Sequence, residues 1–181
     1  MPFRYEIRLS GSGGQGLILA GKILAEAAAI YDGKNATQSQ SYGPEARGGS
    51  SRSEVIISDE EIDYPKAVNI DLLLALTQES CDKYCKDLKE NGILLVDSSY
   101  VTKLPTGKFR IYALPISETA EKEVGRSLVA NIVSLGVIAQ LTNVVSKESI
   151  QSAILSRVPK GTEELNLKAF NAGLELAKRV L

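Results

Sequence analysis

Histidine is absent from all 181 residues. Its absence removes Ser-His-Asp and Cys-His nucleophile arrangements and every His-containing metal site. Cysteine occurs twice, as Cys81 and Cys85, too few to hold an iron–sulfur cluster, which takes four ligands. Four apart in a polar stretch that reads as a helix, the two share one helix face. They are read as reduced thiols, with half of an interface site or a redox pair as alternatives. Neither sign of charge is in excess: 21 basic residues stand against 22 acidic ones, a net charge of −1. That balance provides no basic surface for nucleic acid or anionic lipid. No apolar run is long enough to span a membrane. Met1-Pro2-Phe3-Arg4-Tyr5-Glu6 is already charged and strand-like, which argues against a signal peptide. A soluble, cytoplasmic protein is the expectation. Repeats, linkers and low-complexity segments are missing too.

What is present is enough apolar chain, 44%, for one well-covered domain over residues 1–181. Strand-like and helix-like patterns alternate. Phe3 to Leu9, Ser51 to Ile57, Ile70 to Leu76, Gly92 to Val96 and Gly107 to Leu114 read as strands. The near-continuous apolar run of Ile70 to Leu76 fits a strand covered on both faces. Leu17 to Ile30, the polar stretch Gln78 to Lys89, and Glu118 to Leu141 read as helices. In the last of these Leu128, Ile132, Leu135 and Ala139 share a core-facing stripe. Ser146 is placed to cap a helix running to about Arg157, and Thr162 with Glu163 and Glu164 marks another helix start. The final helix carries Leu167, Phe170, Leu174, Ala177 and Leu181 on one face, either to pack on the sheet or to form a partner-facing seam. The fold class is α/β: a three-layer α/β/α domain with a mostly parallel sheet.

Between the first strand and first helix stands Gly11-Ser12-Gly13-Gly14-Gln15-Gly16. Glycines admit a ligand close to the backbone, and the unpaired N–H groups of the following helix suit an anion. Tight strand-to-helix packing is the plainer role for the same residues. The spacing also satisfies the dinucleotide pattern G-x-G-x-x-G. That pattern requires an acid about 20 residues on to hold the ribose. Ala36-Thr37-Gln38-Ser39-Gln40 has none, and Asp32 precedes Gly33 in what reads as a turn before the second strand. A dinucleotide site is therefore disfavoured.

A second glycine-rich segment follows: Ser41-Tyr42-Gly43-Pro44-Glu45-Ala46-Arg47-Gly48-Gly49-Ser50. Its Gly-Pro and Gly-Gly pairs read as a loop. Arg47 there either stands solvated or reaches a carboxylate or phosphate through two parallel hydrogen bonds. Asp97, at the C-terminal end of an apolar run, is either on the ligand-binding rim of the sheet or accepts N–H groups of its own turn. Asp71, before Leu72-Leu73-Leu74, reads as structural.

With both glycine segments, Ala20-Gly21, Asp71, Asp97 and Asn131, the chain resembles the gamma subunit of the 2-oxoacid:ferredoxin oxidoreductases over essentially its whole length. Tyr5 to Ser10 and Ser53 to Pro65 look most similar to the 2-oxoglutarate members; pyruvate and branched-chain members share the framework. The resemblance implies a multi-subunit enzyme that oxidatively decarboxylates a 2-oxoacid to an acyl-coenzyme A and reduces ferredoxin. It implies alpha and beta partner subunits, with a delta subunit and a homodimer of the isolated chain left open. It also implies thiamine diphosphate, magnesium and iron–sulfur clusters in the complex, and coenzyme A as acyl acceptor. This chain has no Gly-Asp-Gly thiamine-diphosphate signature and no cluster cysteines, so those groups are expected on partner chains, with no cofactor or metal held by this chain alone. Gly11, Ser12, Gly13, Gly14, Gln15, Gly16, Tyr42, Arg47, Gly48, Gly49 and Ser50 are the candidate binding residues. No catalytic residue is assigned. A free-standing nucleotide-binding protein is the competing reading.

Overall fold

A computed structural model describes residues 3–42 and 50–181. Six strands form one sheet: β1 (Arg4–Ser12), β2 (Asn35–Tyr42), β3 (Ser50–Ser58), β4 (Ile70–Ala75), β5 (Leu88–Asp97) and β6 (Arg110–Leu114). Their order is β2-β3-β1-β4-β5-β6. β1, β4, β5 and β6 pair in parallel, and β3 runs antiparallel to both β1 and β2. The sheet is thus mixed, with β3 alone reversed. Because β2 points the same way as β1, the β2–β3 connection leaves from the end of the sheet where β1 terminates.

Strand periodicity decides which side chains meet which layer. Ile7, Leu9, Val55, Ile57, Leu72, Leu74, Ile93 and Leu95 join the larger core. That face is covered by α1 (Leu17–Glu26), α3 (Ile116–Val124), α4 (Ala130–Thr142), α5 (Lys147–Arg157) and α6 (Glu163–Lys178). Ile56, Leu73, Ala75, Leu94 and Val96 face a smaller core with Cys81 and Tyr84 of α2 (Gln78–Tyr84). On that side β1 presents Glu6, Arg8 and Ser10, all buried. Arg8 pairs with Glu54 at 3.0 Å and with Asp87 at 2.6 Å, and lies over the Tyr84 ring. A buried charge is tolerated because each such guanidinium has its partners.

Several expected elements end elsewhere. The helix expected from Gln78 to Lys89 stops at Tyr84, a single tight turn covers Cys85–Asp87, and Leu88 already belongs to β5, paired with Ile70. The last expected strand begins at Arg110 rather than Gly107. The long helix from Glu118 to Leu141 is two helices: Gly125, at φ +83°, ends α3, and a 3₁₀ turn at Ser127–Val129 leads into α4. That turn swings Leu128 out of the core, leaving it 69% exposed. The first helix passes into a wider π turn at Ala27–Tyr31, which leaves Ile30 exposed. No helix among the described residues is long and apolar enough to cross a membrane.

Candidate functional site

β1 ends in the glycine loop, and its last residues are still paired: Gly11 lies opposite Ser51 and Ser12 opposite Ser50. β2 ends beside them, with Tyr42 opposite Ser51. The roots of the two glycine segments are therefore neighbours on adjacent strands, although 37 residues of numbering separate Ser12 from Gly49. Arg47, Gly48 and Gly49 lie outside the described residues, as does the side chain of Tyr42.

The glycine loop is closed upon itself. The Ser12 N–H donates to Gln15 Oε1 at 2.7 Å, and the Gln15 N–H donates to the Ser12 carbonyl at 3.4 Å. A methyl at Gly11 would displace the Gln15 side-chain amide from its place against Ser12 and approach Leu17 and Leu76 to 3.2 Å. Gly16 sits at φ +72° as the residue from which α1 starts, a left-handed geometry that favours glycine. Its carbonyl accepts the Asn131 side-chain amide at 3.0 Å, which ties the start of α1 to the start of α4. Neither α1 nor α4 has a side-chain N-cap or an acid in its first turn. At α4 the preceding turn supplies backbone acceptors instead, the Val129 N–H donating to the Arg126 carbonyl at 3.3 Å and the Ala130 N–H to the Ser127 carbonyl.

Asp97 ends β5 fully buried. It accepts the Ser99 N–H at 3.1 Å, the Ser117 N–H at 3.2 Å and the Ser117 hydroxyl. The turn-acceptor reading holds: fully buried and absent from the cavity lining, the aspartate holds its own turn and fixes Ser117 at the start of α3. A cavity of about 220 Å³ opens between these groups, lined by Gly14, Gln15, Tyr100, Ser117, Ser127, Leu128 and Ala130. Three helix starts thus border one hollow beyond the carboxyl ends of β1 and β5, the rim where α/β sheets bind ligands. A larger cavity, about 440 Å³, lies between α3 and α6. Of its three carboxylates, Glu118, Glu123 and Glu175, the first and last are paired with Lys122 and Lys178 on their own helices.

Gly14 and Gln15 line the cavity; Tyr100, Ser117, Ser127 and Leu128 were not foreseen. They come from three separated segments and carry no local motif. The Asp97-Ser98-Ser99 rim and the Asn131 position were the nearest signals. Asp32, the one acid near a ribose position, is at the opposite end of the sheet. Burial pushes its carboxyl up, yet hydrogen bonds from the Ser149 hydroxyl and from the Ser146 N–H and hydroxyl, with Lys34 nearby, hold it below the ordinary value. Asp71 accepts the Glu6 N–H and pairs with Lys89. Cys81 and Cys85 are free thiols; burial, with Cys85 and Asp82 adding to it, pushes Cys81 up to about 11. No cluster of three or more His, Cys, Asp or Glu suited to a metal occurs among the described residues.

The chain is 56% identical over 179 residues to 2-oxoglutarate synthase subunit KorC of Methanocaldococcus jannaschii, covering 98% of this chain and 96% of that one. It is 36% identical over 176 residues to ketoisovalerate oxidoreductase subunit VorA of Methanothermobacter thermautotrophicus, but there it spans only 36% of the longer protein. Its fold matches the crystal structure of the keto/oxoacid ferredoxin oxidoreductase gamma subunit from Geobacter sulfurreducens PCA with a TM-score of 0.90, at 62% identity and with 98% of each chain covered. The family model for pyruvate ferredoxin/flavodoxin oxidoreductase runs over residues 6–176, from the buried Glu6 of β1 to Leu176 of α6, and the chain belongs to that family.

Proposed function

We propose that this chain, as one gamma-type domain over residues 1–181, is a subunit of a cytoplasmic 2-oxoglutarate:ferredoxin oxidoreductase. The enzyme oxidatively decarboxylates 2-oxoglutarate to succinyl-coenzyme A and passes the electrons to ferredoxin. One observation carries the choice of substrate: identity to a 2-oxoglutarate synthase subunit is 56% over nearly all of both chains, against 36% to a ketoisovalerate oxidoreductase subunit. Partner alpha and beta subunits, with or without a delta subunit, carry thiamine diphosphate, magnesium and the iron–sulfur clusters. The residues of this chain do not suit those groups: its two thiols stand on the α2 side of the sheet, and neither lines the cavity.

The part of this chain is to bind and orient. The start of α1 after Gly16 and the Ser127 hydroxyl face an anionic segment of coenzyme A, whose phosphates suit helix N-termini. Arg47, with Gly48, Gly49, Ser50 and Tyr42, is assigned to the same anion-binding role by its chemistry, a guanidinium in a glycine-rich segment that suits a phosphate or carboxylate. The test is anaerobic isolation of the chain with its partners, followed by viologen reduction. Reduction that needs both 2-oxoglutarate and coenzyme A supports the assignment. Activity with pyruvate or a branched 2-oxoacid instead replaces the substrate, and recovery of the chain alone, inactive with every 2-oxoacid, overturns the subunit reading. An Arg47→Ala complex with an unchanged KM for coenzyme A removes Arg47 from the site.

A further inference from the structure

On the α2 face of the sheet three cations surround one aromatic ring. Arg8, Arg52 and Lys83 stand 5.0, 5.5 and 5.4 Å from the centre of the buried Tyr84 ring, close enough for its π-system to attract each of them. Two carboxylates face the group, Glu54 and Asp87, and Arg8 hydrogen-bonds to both. The second oxygen of Glu54 stays 3.6 Å from Arg52 Nε, too far for a hydrogen bond. Asp82, the acid next to Lys83, accepts the Gln78 amide instead. Three cations thus meet two carboxylates, and one positive charge is left over. Among the described residues the Lys83 ammonium forms no hydrogen bond or ion pair, and Arg52 hydrogen-bonds through Nε alone.

Arg52 is also held in place. Its Nε donates to Ser41 Oγ at 2.8 Å, the guanidinium lies on the Tyr84 ring, and a third of the side chain remains exposed. One edge of the fork is thereby occupied; the other, Nη1 with Nη2, is not. Ser41 stands opposite Arg52 and Ser39 opposite Glu54, so both serines share this face of the sheet, and both are exposed. The Ser41 hydroxyl that accepts from Arg52 still has its own proton to donate. We propose that Arg52 anchors an oxyanion site on this face, taking a small phosphate or carboxylate. Nη1 and Nη2 bind two of its oxygens in parallel, the Ser41 and Ser39 hydroxyls add donors, and Lys83 contributes the surplus charge. A guanidinium already fixed by a ring and a hydroxyl loses little further freedom when the anion arrives, which separates Arg52 from an ordinary solvated arginine. Arg52 lies opposite Ser10, near the carboxyl end of β1 but on the reverse face from α1, so the site does not depend on what occupies the hollow.

Titration of the full-length, isotope-labelled chain with inorganic phosphate, and in a second series with acetate, tests the proposal through the Nε–H resonance of Arg52, at matched ionic strength throughout. The expected result is a saturating shift with a Kd on the order of a millimolar. Saturation by phosphate, by acetate or by both supports the site and says which oxyanion it prefers. Arg52→Lys, which keeps the charge and loses the fork, weakens binding at least about fivefold when followed by the resonances of neighbouring amides. Lys83→Gln weakens it about twofold, and Arg110→Gln on the far edge of the sheet leaves it unchanged. The wild-type titration stands by itself if a variant fails to fold. A linear, unsaturated drift in both series overturns the proposal, because screening alone then moves the resonance. An unaltered Kd in folded Arg52→Lys overturns it too. So does a resonance that responds to Glu45→Gln and to neither anion, which gives the guanidinium to a carboxylate of the same chain. Looser assembly of an Arg52→Gln complex, with no anion bound by the isolated chain, makes Arg52 a contact between subunits and likewise overturns the site.

Discussion

At the end of the sheet where β1, β4 and β5 begin, side chains reach backbone groups almost everywhere. Glu6 accepts the N–H groups of Val68 and Asn69, Asp59 that of Phe3 and Asp71 that of Glu6. Arg4 and Lys34 donate to carbonyls of Tyr64 and Val144. At the opposite end Asp97 likewise accepts the N–H groups of Ser99 and Ser117, but the start of α1 has no side-chain cap, and the bonds of Gln15 to Ser12 and of Asn131 to Gly16 hold the glycine loop beside the hollow. One end spends its polar side chains on its own backbone. The other leaves the start of α1 without a side-chain acceptor beside a cavity. Ligand chemistry belongs at the second end because an unsatisfied donor beside a cavity gains most when an anion arrives.

Substitutions at the two ends should therefore separate stability from activity. Glu6→Ala has the largest expected effect on stability, about 3 kcal/mol in urea unfolding, because two N–H groups lose a buried charged acceptor. The folded fraction should keep its KM for coenzyme A. Gly16→Ala comes next: a non-glycine residue at φ +72°, crowding the Asn131 amide, costs about 2 kcal/mol. Here the KM for coenzyme A should rise in the assembled enzyme; if it does not, the glycine loop is a packing device and the contrast between the ends fails. Asn131→Ala removes one hydrogen bond, about 1 kcal/mol, and should raise the same KM with kcat less affected.

The smallest effect is pH-dependent. Asp32 has a folded pKa below its unfolded one, so its contribution is complete above the unfolded value and disappears as pH falls through the folded value. Unfolding followed through the acidic carboxylate range should show Asp32→Asn losing less stability on acidification than the wild type. Its activity at neutral pH should be unchanged, as expected for a residue at the closed end.

The apolar runs of β4 and β5 were legible because strands covered on both faces leave a nearly continuous hydrophobic signature, whereas β1 showed only alternation, its other face carrying Glu6, Arg8 and Ser10. Ser146 was legible as a cap, and it accepts the Ser149 N–H at 3.2 Å. Leu128 was misread because helical spacing extended backward from Ile132 assumes an unbroken helix, and the left-handed Gly125 interrupts it. Lys89 was misread as helical because Leu88, pairing with Ile70, was already committed to β5. Of the candidate site, Gly14 and Gln15 line the cavity, Gly11 and Ser12 are the paired end of β1 with Ser50 opposite Ser12, Gly16 accepts the Asn131 amide, and Arg47, Gly48 and Gly49 lie outside the described residues.

The residues alone determined the chemistry available and the neighbourhood of the site: no histidine, two cysteines, and a glycine turn between a strand and a helix. They could do so because these are properties of residue type and short-range order. Tyr100, Ser117, Ser127 and Asn131 joined that turn only through the order of the strands, which places the ends of β1 and β5 and the starts of α1, α3 and α4 around one hollow. The place of β2 at the end of the strand order is likewise a tertiary fact. Whether a strand is central or marginal depends on which strands lie beside it, and that is settled by packing over the whole sheet rather than by the strand's own residues.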